Sequence, residues 1–161
     1  MIVVLMGVSG AGKSTIGRLL AYELDCSFLD ADDLHPPENV AKMATGTPLT
    51  DDDRWPWLAR VHQAITAAIQ DDVSLVVACS ALKATYRRRI VGSNENIHWV
   101  YLSGDFELVR ERIAARSGHF MPADLLRSQF EALEAPENAF MVDIAESPAS
   151  IVRRIKEHVR R

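Results

Sequence analysis

The stretch whose residue types carry the clearest chemistry is Gly7-Val8-Ser9-Gly10-Ala11-Gly12-Lys13-Ser14, with Thr15 directly after it. It fits G-x-x-x-x-G-K-[ST], a loop whose backbone N–H groups turn inward and form a concavity for phosphate oxygens. Glycines allow the tight turn, and a helix starting near Lys13 adds its positive N-terminal end to the same spot. Lys13 is placed to reach the β- and γ-phosphates, and the Ser14 hydroxyl to ligate Mg²⁺. An apolar run, Met1–Met6, precedes the loop and a helical pattern from Thr15 to Leu20 follows it. That strand–loop–helix context predicts a nucleoside triphosphate site.

Further along, Asp30-Ala31-Asp32-Asp33 closes a short apolar segment. Carboxylates facing a γ-phosphate have two uses: one holds the Mg²⁺ hydration shell and another accepts the proton of an attacking hydroxyl. Alternation puts Asp30 and Asp32 on the same side, which favours them over Asp33. Helix capping or a solvated acidic loop is the plainer alternative. His35 comes next as a candidate substrate contact, although a lone His is more often structural. Arg54, in Asp53-Arg54-Trp55-Pro56-Trp57, is a fixed cation suited to bidentate recognition of a planar carboxylate. In Cys79-Ser80-Ala81-Leu82-Lys83 the small residues at Ser80 allow close approach to a ligand, and Lys83 reaches toward an anion. Of the basic run Arg87-Arg88-Arg89, Arg87 is the better ligand candidate, because Arg88 and Arg89 are accounted for by a helix C-terminus. Arg112 and Arg116 share a helix face just before Ser117-Gly118-His119-Phe120. Arg at this spacing running into a Gly hinge reads as a lid that brings guanidinium groups onto phosphates. The alternative is a surface helix pairing these arginines with Glu107 and Glu111. His119 is a lid or substrate contact whose role spacing does not assign.

These groups need elements to hold them. Strands are predicted at Ile2–Met6, Ser27–Leu29 (ending in Asp30), Val73–Ala78, Ile97–Leu102 and Phe140–Asp143. Helices are predicted at Lys13–Leu24, Pro37–Met43, Asp51 through Ile69, Ala81–Val91, Phe106–Ala115, Pro122–Leu133 and Pro148–Val159. Asp51-Asp52-Asp53 is read as the cap of the third helix. Val73–Ala78 is nearly all apolar, as a strand covered on both faces should be. Strands alternating with helices and lacking hairpin turns imply parallel strands with crossovers. The expected architecture is an open, doubly wound α/β sheet of five parallel strands flanked by helices, with ligands beyond the carboxyl ends of the strands. Every candidate group above lies at one of those ends.

The 161 residues suit one domain, 1–161. A net charge of −4 offers no general polyanion-binding surface, so no nucleic acid partner is expected. Cys26 and Cys79 do not make a disulfide framework or a metal knuckle. No apolar run is long enough to span a membrane, and Met1 leads straight into a strand, so a cytoplasmic setting is expected. Neither N-K-x-D nor D-x-x-G is present, which argues against a GTPase, and the third strand ends without an acidic residue. Carboxylate help must then come from the second strand, the layout of small-molecule and nucleotide kinases.

At the level of family, the chain resembles gluconate kinase, in the shikimate-kinase-like group of P-loop kinases. The resemblance is carried by Gly7–Ser14, Phe28–Pro36, Lys42–Leu58, Ala78–Lys83 with Tyr86-Arg87, Tyr101–Phe106, and Arg116–Phe120 with Ser128-Gln129-Phe130. It implies ATP-dependent phosphorylation of D-gluconate at its 6-hydroxyl, with Mg²⁺, in a cytoplasmic homodimer. It also implies a substrate-binding helical segment at about 34–60 and a lid at about 112–125. Asp30 would lie near Mg²⁺, Asp32 near the attacking hydroxyl, Arg112 against adenine and Arg116 on the phosphates. Arg54 and Lys83 fit the anionic end of gluconate, either one being able to take the carboxylate. The chain departs from the family pattern at Ala31, usually Gly, at Arg88, often acidic, at Pro122, commonly basic, and at Glu134-Ala135-Pro136, usually Glu-Glu-Pro.

Overall fold

The computed structural model describes residues 1–116 and 122–161. Five strands, β1 (Ile2–Met6), β2 (Ser27–Asp30), β3 (Leu75–Ala78), β4 (Ile97–Ser103) and β5 (Phe140–Asp143), form one parallel sheet in the order β2-β3-β1-β4-β5. Among the described residues there are seven α-helices: α1 (Lys13–Leu24), α2 (Pro37–Ala44), α3 (Asp51–Gln70), α4 (Ala84–Val91), α5 (Phe106–Ala115), α6 (Ala123–Ala132) and α7 (Pro148–Val159). None of them is long and apolar enough to cross a membrane.

All five residues of β1 are buried because the strand serves two cores. Val3 and Leu5 pack with α1, α5, α6 and α7 on one face of the sheet. Ile2, Val4 and Met6 pack with α3 and α4 on the other. The period of two along the strand therefore divides its side chains between two apolar layers. The chain leaving β1 goes to the first face and the chain leaving β3 to the second. The crevice between these neighbours is the topological switch point, where ligands collect in such sheets. Gly7 N–H to Ser80 O at 3.3 Å and Cys79 N–H to Leu5 O at 3.0 Å stitch its two sides together.

One helix cap and two element starts differ from the sequence expectation for local reasons. The cap of α3 is Thr50, not the Asp51–Asp53 run. Its hydroxyl accepts from Asp53 N–H while the Asp53 carboxylate accepts from Thr50 N–H, a reciprocal capping box. β3 starts at Leu75 rather than Val73, because α3 ends in a left-handed turn at Asp72 (φ 54°) with Val73 N–H bonded to Ala68 O. α4 starts at Ala84 rather than Ala81, since Ala81 itself is left-handed at φ 44°. Asp30–Leu34 also gains a 3₁₀ turn over Ala31–Leu34, where the Asp30 side chain accepts from Asp32 N–H at 3.1 Å.

Candidate active site

The phosphate-type loop is present in full between β1 and α1. Gly10 and Gly12 take φ values of 78° and 94°, open to glycine without strain. A Cβ on Gly10 would sit 2.6 Å from Ile113 Cγ1, so the loop rests directly on α5. Lys13 Nζ donates to Gly7 O at 2.9 Å and Val8 O at 2.8 Å, which lays the side chain along the loop. Its burial lowers its pKa, opposed by the charges of Asp32 and Asp30. Ser9 N–H, inside the loop, donates to Gln129 Oε1 of α6 at 2.7 Å.

Asp30 and Asp32 do share this place. Ser14 Oγ donates to Asp30 Oδ2 at 2.5 Å, so the loop hydroxyl and the β2 carboxylate form an oxygen pair. Asp32 stands beyond them with an accessible carboxylate recessed in the cleft. The cleft walls raise its pKa by desolvation, Lys13 opposes that, and Asp30 and Asp33 add to it. Between them, Ala31 carries its methyl into the second core and its carbonyl accepts from Trp57 Nε1 at 2.6 Å.

One cavity of about 600 Å³ opens from these residues. Ser9, Lys13, Asp32, His35, Arg54 and Ser80 all line it, as do Tyr86 and Gln129. His35 is buried and stacks on Trp57, with centroids 4.1 Å apart and planes 18° from parallel. Burial, then the Arg54 charge, holds its pKa down to about 4. Arg54 donates to Leu49 O at 2.7 Å and to Tyr86 Oη at 3.3 Å. Tyr86 donates to Asp51 Oδ1 at 2.5 Å, and Lys83 Nζ lies 3.9 Å from that same oxygen. Two cations and a phenol therefore converge on the Asp51 carboxylate; Arg54 and Tyr86 line the cavity, whereas Lys83 and Asp51 do not.

Other candidates are placed differently. Arg87 does not line this cavity: it donates to Ala81 O at 2.9 Å and Leu82 O at 3.1 Å, bracing the left-handed turn behind Ser80, and faces a separate hollow with Trp99 and Glu134. Arg112 donates to Ile144 O at 2.5 Å, and it is Arg110 that pairs with Glu107, at 2.8 Å. The pairing of Arg112 with Glu107 or Glu111 is therefore not seen among the described residues. Arg116 ends α5, close enough to Lys13 for its charge to oppose that of the ammonium. His119 and the Gly118 hinge lie outside the described residues, as does the middle of the 112–125 lid region.

The shikimate kinase family model matches residues 9–159. The thermosensitive gluconokinase of Escherichia coli (strain K12) is 41% identical over 160 residues, covering 97% of this chain and 86% of that protein. The gluconokinase of Arabidopsis thaliana is 40% identical over 173 residues, covering 98% and 92%. The chain belongs to the gluconokinase family. A solved gluconokinase from Sinorhizobium meliloti 1021 superposes with a TM-score of 0.90 at 42% identity, covering 99% of this chain and 91% of that one. Within this gluconokinase-family chain, sequence reasoning missed Asn39, Asp51, Tyr86 and Gln129 as parts of the site. Tyr86 and Gln129 lay in stretches that carried the family resemblance. Asp51 reads as a helix cap within a stretch that also carries the resemblance, and Asn39 follows His35 in sequence without an assignable role, because its importance rests on burial and on the Asp53 carbonyl 14 residues away.

Proposed function

We propose that the protein transfers the γ-phosphoryl group of ATP to the 6-hydroxyl of D-gluconate, giving 6-phospho-D-gluconate and ADP. The observation that carries this reading is a single cleft lined by Ser9 and Lys13 of the Gly7–Ser14 loop and also by Arg54 and Tyr86. Kinship with gluconokinases over nearly the whole chain supports the same reading.

In this mechanism the amides of residues 7–14, with Thr15 at the start of α1, and Lys13 hold the β- and γ-phosphates, concentrating positive potential where charge builds up. Ser14 and Asp30 present two hard oxygens 2.5 Å apart at the loop edge, a donor set that suits Mg²⁺. When bound there, the ion would neutralise phosphate charge. Asp32 orients the sugar-acid hydroxyl and takes its proton, and its raised pKa makes it a better acceptor. For a loose transition state, positioning and charge stabilisation count for more than base strength. His35 and Ser80 flank the polyol chain. Arg54, with Tyr86, takes the carboxylate, and Lys83 supports it from the rim. Arg112 lies against the adenine and Arg116 closes over the transferring group. Arg87 serves the substrate indirectly, through the loop that carries Ser80. On this reading the enzyme is a cytoplasmic homodimer whose partners are ATP, Mg²⁺ and gluconate.

A coupled ADP-release assay with Mg-ATP against D-gluconate, L-idonate, 2-keto-gluconate, shikimate, AMP and CMP tests the proposal. Turnover with gluconate well above all others is the expected result. Turnover with another acid alone would move the specificity. Silence across the panel with ATP still bound would overturn the kinase reading.

A further inference from the structure

Asn39, in α2, is buried and has two partners that the fold holds still. Its side-chain Nδ2 lies 2.8 Å from the backbone carbonyl of Asp53 and 3.3 Å from Nδ1 of His35. A carbonyl oxygen only accepts, so the amide must turn its NH₂ group, not its oxygen, toward this corner. One hydrogen serves Asp53 O and the other is left for His35. Nδ1 of His35 is then the lone-pair nitrogen, and a neutral ring carries its proton on Nε2.

The rest of the surroundings fixes where that proton points. The ring is held flat against Trp57, and Trp57 is pinned by its own N–H to Ala31 O. Asp53, whose carbonyl anchors Asn39, is clamped by the Thr50 capping box and by Lys42 at 2.6 Å. On its open side His35 Nε2 lies 4.0 Å from Asp32 Oδ1, and both residues line the cavity. The charged groups facing the ring are Asp32 and Arg54, the latter disfavouring an imidazolium.

We propose that Asn39 is a positioning residue that locks His35 as the Nε2–H tautomer, so that the ring presents one neutral N–H donor to a substrate hydroxyl beside Asp32. A hydroxyl both donates and accepts, and the Asp32 carboxylate only accepts. With the proton on Nδ1 instead, Nε2 would be a second acceptor next to that carboxylate, and the site would lose its complement to a polyol. The inference rests on the gluconokinase reading for its substrate, but the tautomer does not.

Long-range ¹H–¹⁵N spectra of the labelled enzyme at pH 7 read the tautomer directly, His35 being assigned by the signal lost in His35→Gln. The expected pattern is a pyridine-type Nδ1 and a pyrrole-type Nε2. Asn39→Asp should move the proton to Nδ1 and lower kcat/KM for gluconate on the order of 10- to 100-fold, with KM for ATP unchanged. His35→Gln, which keeps an NH₂ at the Nε2 position, should retain more activity than His35→Asn, whose amide reaches only the Nδ1 position. A wild-type spectrum with the proton on Nδ1, or a His35→Asn variant as active as His35→Gln, overturns the proposal. If Asn39→Asp does not fold, those two results still decide it. An enzyme inert toward gluconate that nevertheless shows the Nε2–H spectrum would sink the substrate reading and leave the tautomer standing.

Discussion

The two ends of the cleft are built on opposite plans. At the proposed phosphate end, the groups come from one continuous octet and are mostly backbone N–H, with Lys13 and Ser14 as the added side chains. At the other end the groups are side chains, drawn from α2 (Asn39), α3 (Arg54), α4 (Tyr86) and the connections after the 3₁₀ turn (His35) and after β3 (Ser80, Lys83), and Asn39, His35, Arg54 and Tyr86 are held by further contacts. A backbone cradle recognises what all nucleoside triphosphates share and depends on local turn geometry. A side-chain pocket selects one substrate and depends on the packing of distant segments. Damage should therefore spread differently from each end.

The largest effect belongs to the phosphate end. Lys13→Ala should lower kcat/KM on the order of 10³-fold or more for whichever substrate is varied, since its charge serves the transferring group. Near-normal turnover in steady-state assays would remove the phosphate assignment. Asp32→Asn, at the meeting point, should cut kcat by about 10²- to 10⁴-fold while ATP affinity, read by calorimetry, stays nearly constant. Equal losses in both would give Asp32 to the metal instead. At the far end, Arg54→Lys should raise KM for gluconate by roughly 10-fold, with the ATP constants unmoved, because an ammonium cannot reproduce the planar fork. Parallel changes in both substrates would erase the contrast between the two ends.

The smallest effect is on stability. Folded His35 has its pKa held down to about 4 against an ordinary 6.5, so the unfolded chain binds the extra proton first. Its contribution is complete above about pH 6.5 and is lost as pH falls toward 4. Thermal melts across that window should show a flatter pH dependence in His35→Gln than in wild type, and an identical slope would mean that His35 titrates normally.

The same contrast governs what was legible in the sequence. The octet at residues 7–14 announced its own turn, the helix after it and the strand before it, because spacing alone dictates that geometry. Strand and helix order followed from periodicity, but alternation does not account for Asp32: β2 ends at Asp30, Asp32 reaches the cleft from the 3₁₀ turn, and β3 rather than β2 lies beside β1. The far end was legible only through kinship. Nothing local in Asp51 says that Tyr86, 35 residues on, donates to it, nor that Arg54 and Lys83 converge there. Arg87 stood among plausible ligands by charge, yet its partners are the carbonyls of a left-handed turn that no pattern announced. Thr50 displaced Asp51–Asp53 as the cap because a hydroxyl at that position meets an acid three residues on.

The central place of β1 has a consequence for the order in which this protein matures during synthesis. Its register pairs Ile2 with Leu75 on one side and with Ile97 on the other. Synthesis releases this wholly apolar strand before either partner strand, and it must wait for residues 97–101 before both edges are covered. Both backbone edges of this hydrophobic strand are open until residues 75–78 emerge, and one stays open until 97–101 do. The loop that is simplest to recognise in the linear code thus rests on a strand that is not fully paired until residues 97–101 are made. A nascent chain stalled before β4 should be a client for holding chaperones rather than a nucleotide binder.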